Sequence, residues 1–224
     1  MRFSRIDHIV LQVPDIAAAH ASLRALGFDE AWPVGRNWPH GPTSGVALGG
    51  INLELLQPDL DPPVRPALAE IVFAPHPDVP LAEYGKVIEK NEADPAKLAA
   101  RGLPPELQGV PQRICTNAFP DADSLWPHFV CDYAPWLAHQ LAADSYGVPH
   151  ALVRRVEVGD LTVTPRFVTR PDAPNRAEFL RRTQLHIGPE LGLGPDRVVF
   201  ASGAILDLAS LTIIGAAEDE RSIS

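Results

Sequence analysis

Two short stretches constrain this chain more than any others: residues 5–15, RIDHIVLQVPD, and residues 49–58, GGINLELLQP. Each reads as an apolar strand with one ionisable residue on an otherwise oily face, His8 in the first and Glu54 in the second. An ionisable group in that setting costs free energy unless it is paired, neutralised or held on a metal. Between the two strands lies a helix pattern capped by Asp15. Ile16, Ala19, Leu23 and Leu26 fall at helical spacing, and Gly27 ends the run. A strand over 28–38 follows, with a polar, proline-bearing end. Strands over 44–48 and 51–56 then join through Gly49-Gly50, a natural two-residue hairpin turn. The order is β-α-β-β-β.

Strand parity decides which side chains share a face. Ile9, Leu11 and Val13 alternate with His8, Val10 and Gln12, while Ile51, Leu53 and Leu55 alternate with Asn52, Glu54 and Leu56. The all-apolar faces are expected to pack on helices. His8, Gln12, Asn52 and Glu54 then point to the opposite, concave face, which becomes a polar-dotted pocket. Trp38 and His40, in the segment 38–41, are candidates for the rim of that pocket, with an ordinary loop as the alternative.

The rest of the composition narrows the class. A chain of 224 residues suits one large domain or two small ones and is long enough to bury a core. The net charge of −9 argues against a nucleic-acid footprint, because phosphate binding needs clustered Lys and Arg. No apolar run reaches the ~18 residues of a membrane span, and no signal-peptide pattern opens the sequence. Cys115 and Cys131 make no disulfide framework, so reduced thiols in a cytoplasmic protein are expected. Zinc-type Cys and His pairs, phosphate loops, dinucleotide glycine fingerprints and nucleophile elbows are all missing from the sequence.

Repeats extend the pattern. Residues 202–214 lie over residues 44–56 without a gap, with Thr212 where Glu54 stands. Residues 156–161 echo 11–16, Val153 falls where His8 stands, and a helix pattern at 175–183 fits between. The middle of the chain offers strands over 68–74, 112–117 and 127–133, and a helix over 94–101. In that helix Asp94 is the cap, Pro95 the first residue, and Gly102 the stop. Glu70, Val72 and Ala74 share one face of the first strand; His128, Val130 and Asp132 share one face of the last. The units are therefore 1–57, 68–135 and 152–216, with 217–224 as a tail.

In residues 1–57 the DHIVLxVPD strand, the helix, the LGF turn, the hairpin and the LELL strand together resemble the glyoxalase-like, vicinal-oxygen-chelate superfamily. The resemblance implies an α+β fold of βαβββ modules, with curled mixed sheets around a cleft and a degenerate third module. It implies a divalent metal held by residues from the first and last strands of two modules. Those positions are His8, Glu54, Glu70 and Asp132. One nitrogen and three oxygens suit Mn, Fe, Ni or Zn. The carboxylate pair from the second module departs from the usual pattern of that superfamily. His128, about 13 Å along the strand from Asp132, is a substitute ligand or a catalytic base, and Glu54 is a candidate proton carrier. No organic cofactor is implied.

Three functions follow as alternatives. The first is a metal-dependent lyase, isomerase or dioxygenase acting on vicinal oxygens of a small molecule. The second is a metal-free protein that sequesters a small ligand. The third is a metal-free enzyme in which a carboxylate or histidine does the acid–base work. An odd third module leaves a sheet edge uncovered, so a homodimer is expected.

Overall fold

The computed structural model describes residues 3–100, 102–120, 128–138, 153–158, 161–163 and 196–215. The helix expected over 175–183 lies outside them. In the first unit, β1 (Phe3–Gln12) leads into α1 (Ile16–Ala25), then β2 (Glu30–Trp38), β3 (Gly41–Ala47) and β4 (Asn52–Leu56). Asp15 caps α1 by accepting from the Ala18 N–H at 3.0 Å. At the other end Gly27 takes φ 92°, a left-handed conformation that suits glycine. Gly49 and Gly50 both have positive φ, and the Leu48 N–H donates to the Ile51 carbonyl across them, which closes the two-residue hairpin.

The second unit runs β5 (Ala67–Pro75), a 3₁₀ turn (Leu81–Tyr84), β6 (Lys86–Glu92), α2 (Pro95–Ala100), β7 (Gln112–Phe119) and β8 (His128–Tyr133). Its helix is capped as expected, with Asp94 accepting from the Ala96 N–H at 2.9 Å. The helix lies between β6 and β7 rather than directly after β5. Strand β6 (KVIEKNE) is an edge strand with charged or polar residues at five of seven positions, and no apolar alternation announces it. The 3₁₀ turn takes the place of α1, and its Tyr84 packs into the same core.

All eight strands join in one mixed sheet ordered β2-β3-β4-β1-β5-β8-β7-β6. The second half repeats the strand order of the first. In each half the opening strand pairs parallel to the closing strand, β1 with β4 and β5 with β8. The antiparallel β1–β5 ladder joins the halves. This is the α+β, βαβββ-type architecture that the sequence led us to expect.

The back face of the sheet is apolar. Ile9, Leu11, Leu53, Leu55 and Ile71 are fully buried in one core with Ile16, Ala19 and Leu23 of α1. The same core takes in the third unit, whose strands are β9 (Val153–Val158), β10 (Leu161–Val163), β11 (Arg197–Phe200), β12 (Ile205–Asp207) and β13 (Thr212–Ile214). Phe200 stacks on Phe28 at 5.9 Å, and the Val153 N–H donates to the Gly49 carbonyl. The third unit forms its own sheet, ordered β10-β9-β11-β12-β13. Its opening strand pairs antiparallel with β11, where β1 pairs parallel with β4. The likeness to the first unit is thus one of local strand-turn-strand segments and not of strand pairing.

Candidate functional site

The front face of the sheet, opposite α1, carries the ionisable residues. The parallel register sets His8 beside Asn52 and Val10 beside Glu54. The antiparallel register sets Val72 beside His8 and Glu70 beside Val10. Residues in register across a ladder point to the same side. His8, Asn52, Glu54 and Glu70 therefore share one face.

The β1–β5 ladder slips by one residue at this point. Ile6 pairs with Phe73 and His8 with Val72, so Asp7 is the extra residue of a β-bulge. The bulge breaks the alternation and brings Asp7 to the same side as His8. Asp7 Oδ2 lies 2.8 Å from His8 Nδ1, and Asp7 Oδ1 pairs with Arg5 at 2.7 Å. Tyr133, from the second unit, also acts to lower the pKa of the Asp7 carboxyl. On the other side of the imidazole, His8 Nε2 lies 3.3 Å from Glu54 Oε2. Nε2 is buried and off the line of a hydrogen bond. The Phe129 ring meets His8 edge-on at 6.1 Å.

These neighbours set the charges. Burial pulls the pKa of His8 down, but the Asp7 and Glu54 carboxylates outweigh it and raise it to about 9. Burial acts to raise the pKa of Asp7, and Arg5 and protonated His8 more than offset it, so Asp7 stays below the usual range. The pKa of Glu70 is raised, first by burial and further by Glu54, with His8 opposing. Asn52 is buried, and its side-chain oxygen has no hydrogen-bond partner. Around this polar group Val10, Val72, Phe129, Cys115 and Cys131 form an apolar wall.

Other expected site residues fall elsewhere. The register of β5 with β8 sets Val72 beside Phe129, so Phe129, Cys131 and Tyr133 face the site and His128, Val130 and Asp132 face away. The expectation that His128 and Asp132 share the face of Glu70 is corrected accordingly. His128 packs edge-on against Phe3 and Phe73 on the back face, and Asp132, with 42% of its side chain exposed, pairs with Arg113 at 3.3 Å. Cys131 lines the site with Cys115.

Gln12 is half-buried at the end of β1. His40 is exposed in the β2–β3 turn, where its carbonyl accepts from the Asp59 N–H, and it is not beside His8. The side chain of Trp38 lies outside the described residues. Arg36 makes a two-pronged pair with Asp59.

The His8–Glu54 pair can be tested against a metal. Two cis ligands about 2.1 Å from one ion stand roughly 3.0–3.4 Å apart, and the 3.3 Å between Nε2 and Oε2 matches that spacing. His8 Nδ1 is already engaged by a carboxylate, the usual outer partner of a metal-bound histidine. Among the described residues no three His, Cys, Asp or Glu side chains form a ready ligand group. The fit is thus to a two-donor site, with Glu70 on the same face as the next oxygen donor.

No protein-family model matches this chain, and no curated protein does. Among solved structures it is similar to a triple-substituted variant of 4-hydroxymandelate synthase from Streptomyces coelicolor. That similarity has 14% sequence identity and a TM-score of 0.32. It covers 75% of this chain and 60% of the other, so the chain spans about three-fifths of that structure's length. No described helix is long and apolar enough to cross a membrane.

Proposed function

We propose that this protein is an enzyme acting on a small, oxygen-bearing molecule at the His8–Glu54 pair, with a divalent metal as its cofactor. The observation that carries the reading is the buried His8 Nε2, 3.3 Å from Glu54 Oε2 yet in no hydrogen bond. His8 and Glu54 would hold the ion, with Glu70 as the third donor. A metal bound there would supply Lewis acidity to neighbouring substrate oxygens. The chain's own residues do the remainder. Asn52 offers a buried amide oxygen to a substrate hydroxyl or amine, and the wall of Val10, Val72 and Phe129 excludes water. The homodimer expected from an uncovered sheet edge belongs to the same proposal.

Metal content tests it. Protein purified without chelators is expected to carry near-stoichiometric Mn, Fe, Ni or Zn by plasma mass spectrometry, with the metal lost in His8→Ala and in Glu54→Gln. No metal, and no thermal shift on adding any of the four, would refute the metal site. A second reading then stands, because His8 lies between two carboxylates with its pKa raised to about 9. In that reading it is an imidazolium that donates a proton without a metal. Turnover would resist chelators but not His8→Ala.

A further inference from the structure

We infer that Asp7 acts as a positioning residue that fixes the tautomer of neutral His8, keeping its proton on Nδ1 and its lone pair on Nε2. The inference rests on the proposed use of the His8 face and names how that face is held.

Three observations carry it. The one-residue bulge in β1 is the only reason Asp7 shares the face of His8; in a regular strand its side chain would project to the opposite side. The Asp7 carboxylate is buried, with Arg5 paired to Oδ1 and His8 Nδ1 against Oδ2. Both flanking carboxylates can only accept, and Asp7, at 2.8 Å, is in hydrogen-bonding geometry while Glu54, at 3.3 Å, is not, so Nδ1 is the nitrogen that keeps the proton. Nε2, on the far side of the ring, is left without a hydrogen bond and faces Glu54. Phe129, edge-on to the ring, limits its rotation.

Neutral imidazole in water prefers its proton on Nε2, which would block that nitrogen as an acceptor or ligand. The Asp7 contact reverses the preference and aims the lone pair at the front face. The bulge belongs to the β1–β5 ladder, so the tautomer of His8 is tied to the pairing of the two halves of the sheet.

Nitrogen-15 NMR of His8 in the metal-free protein tests this directly. At a pH high enough to neutralise the ring, the wild type should show the proton on Nδ1. Asp7→Asn should move the population toward Nε2–H while the fold is kept. A wild-type ring with its proton on Nε2, or a tautomer ratio unchanged in the variant, would overturn the inference. Cobalt(II) titration separates it from the metal reading. If wild type binds cobalt, Asp7→Asn should weaken binding by roughly 10–100-fold, and equal affinity in the two proteins would also overturn the inference. If wild type binds none, the metal reading fails and the tautomer measurement alone decides.

Discussion

Removing the titration of His8 should change how stability depends on pH, in a direction opposite to that of an ordinary carboxylate. In the folded, metal-free protein the pKa of His8 rises from 6.5 to about 9. Each unit corresponds to roughly 1.4 kcal/mol, so protonated His8 between Asp7 and Glu54 contributes about 3 kcal/mol relative to an unfolded chain. Because the folded value is the higher one, that contribution is complete below pH 6.5 and is lost as pH rises through about 9. His8→Gln keeps the size of the side chain and cannot titrate. Urea unfolding followed by circular dichroism, with chelator present, should show wild type losing stability relative to this variant between pH 6 and pH 10. A difference that stays flat, or grows with pH, would refute the ion-pair account of His8. Saturating metal should reverse the trend, since it binds neutral imidazole.

Other outcomes are expected. Glu70→Gln should lower metal affinity, whereas Asp132→Asn should leave it unchanged, because Asp132 faces away from His8 and pairs with Arg113; loss of metal in Asp132→Asn, measured by plasma mass spectrometry, would count against the described face. Phe200→Ala should cost about 3–5 kcal/mol in urea unfolding and act on the whole fold, since Phe200 is fully buried against Phe28; a separate, early transition for the third unit would contradict the shared core. The pKa of Glu157 is lowered: burial opposes the shift, and ion pairs with Arg155 and Arg197 outweigh it. Its contribution is therefore present above its ordinary value of 4.5 and lost as pH falls below it, so Glu157→Gln should flatten the acid limb of the stability curve. Gly50→Val should lower the melting temperature, because Gly50 sits at φ 98° in the hairpin turn; an unchanged melting temperature would refute the strain.

The first unit was legible because local rules determine it. Asp15, Gly27 and the Gly49-Gly50 turn each mark a boundary by their own chemistry, and a two-residue turn fixes which residues of β3 and β4 oppose. With that register, period-two alternation was enough to put His8 and Glu54 on one face. The same alternation missed Asp7, because a bulge is set by pairing with β5 and leaves no mark in a strand of ten residues. It also misplaced Asp132 and His128. Their face depends on the register of β8 against β5, strands separated by a helix and two further strands, and no local signal transmits it. Strand β6 escaped notice since an edge strand exposed to water need not alternate. In the third unit, strand-turn-strand segments were visible, but nothing in them distinguishes parallel from antiparallel pairing.

Strand β1 is hydrogen-bonded on both sides to strands far along the chain; Ser4, for instance, bonds to Ala74 at a separation of 70 positions. Its ladder to β5 cannot close until the whole first unit and the connection beyond it are available, and closing so long a loop is slow. Asp7 acquires its orientation only when that ladder forms, and Phe129 meets the His8 ring only after β8 has joined. The imidazole of His8 is therefore among the first side chains synthesised, and the strands that surround it are made well after it. A chain halted before β8 would contain His8 and Glu54 but not the arrangement that gives them their chemistry, so the geometry of this centre reports on completion of the entire eight-stranded sheet.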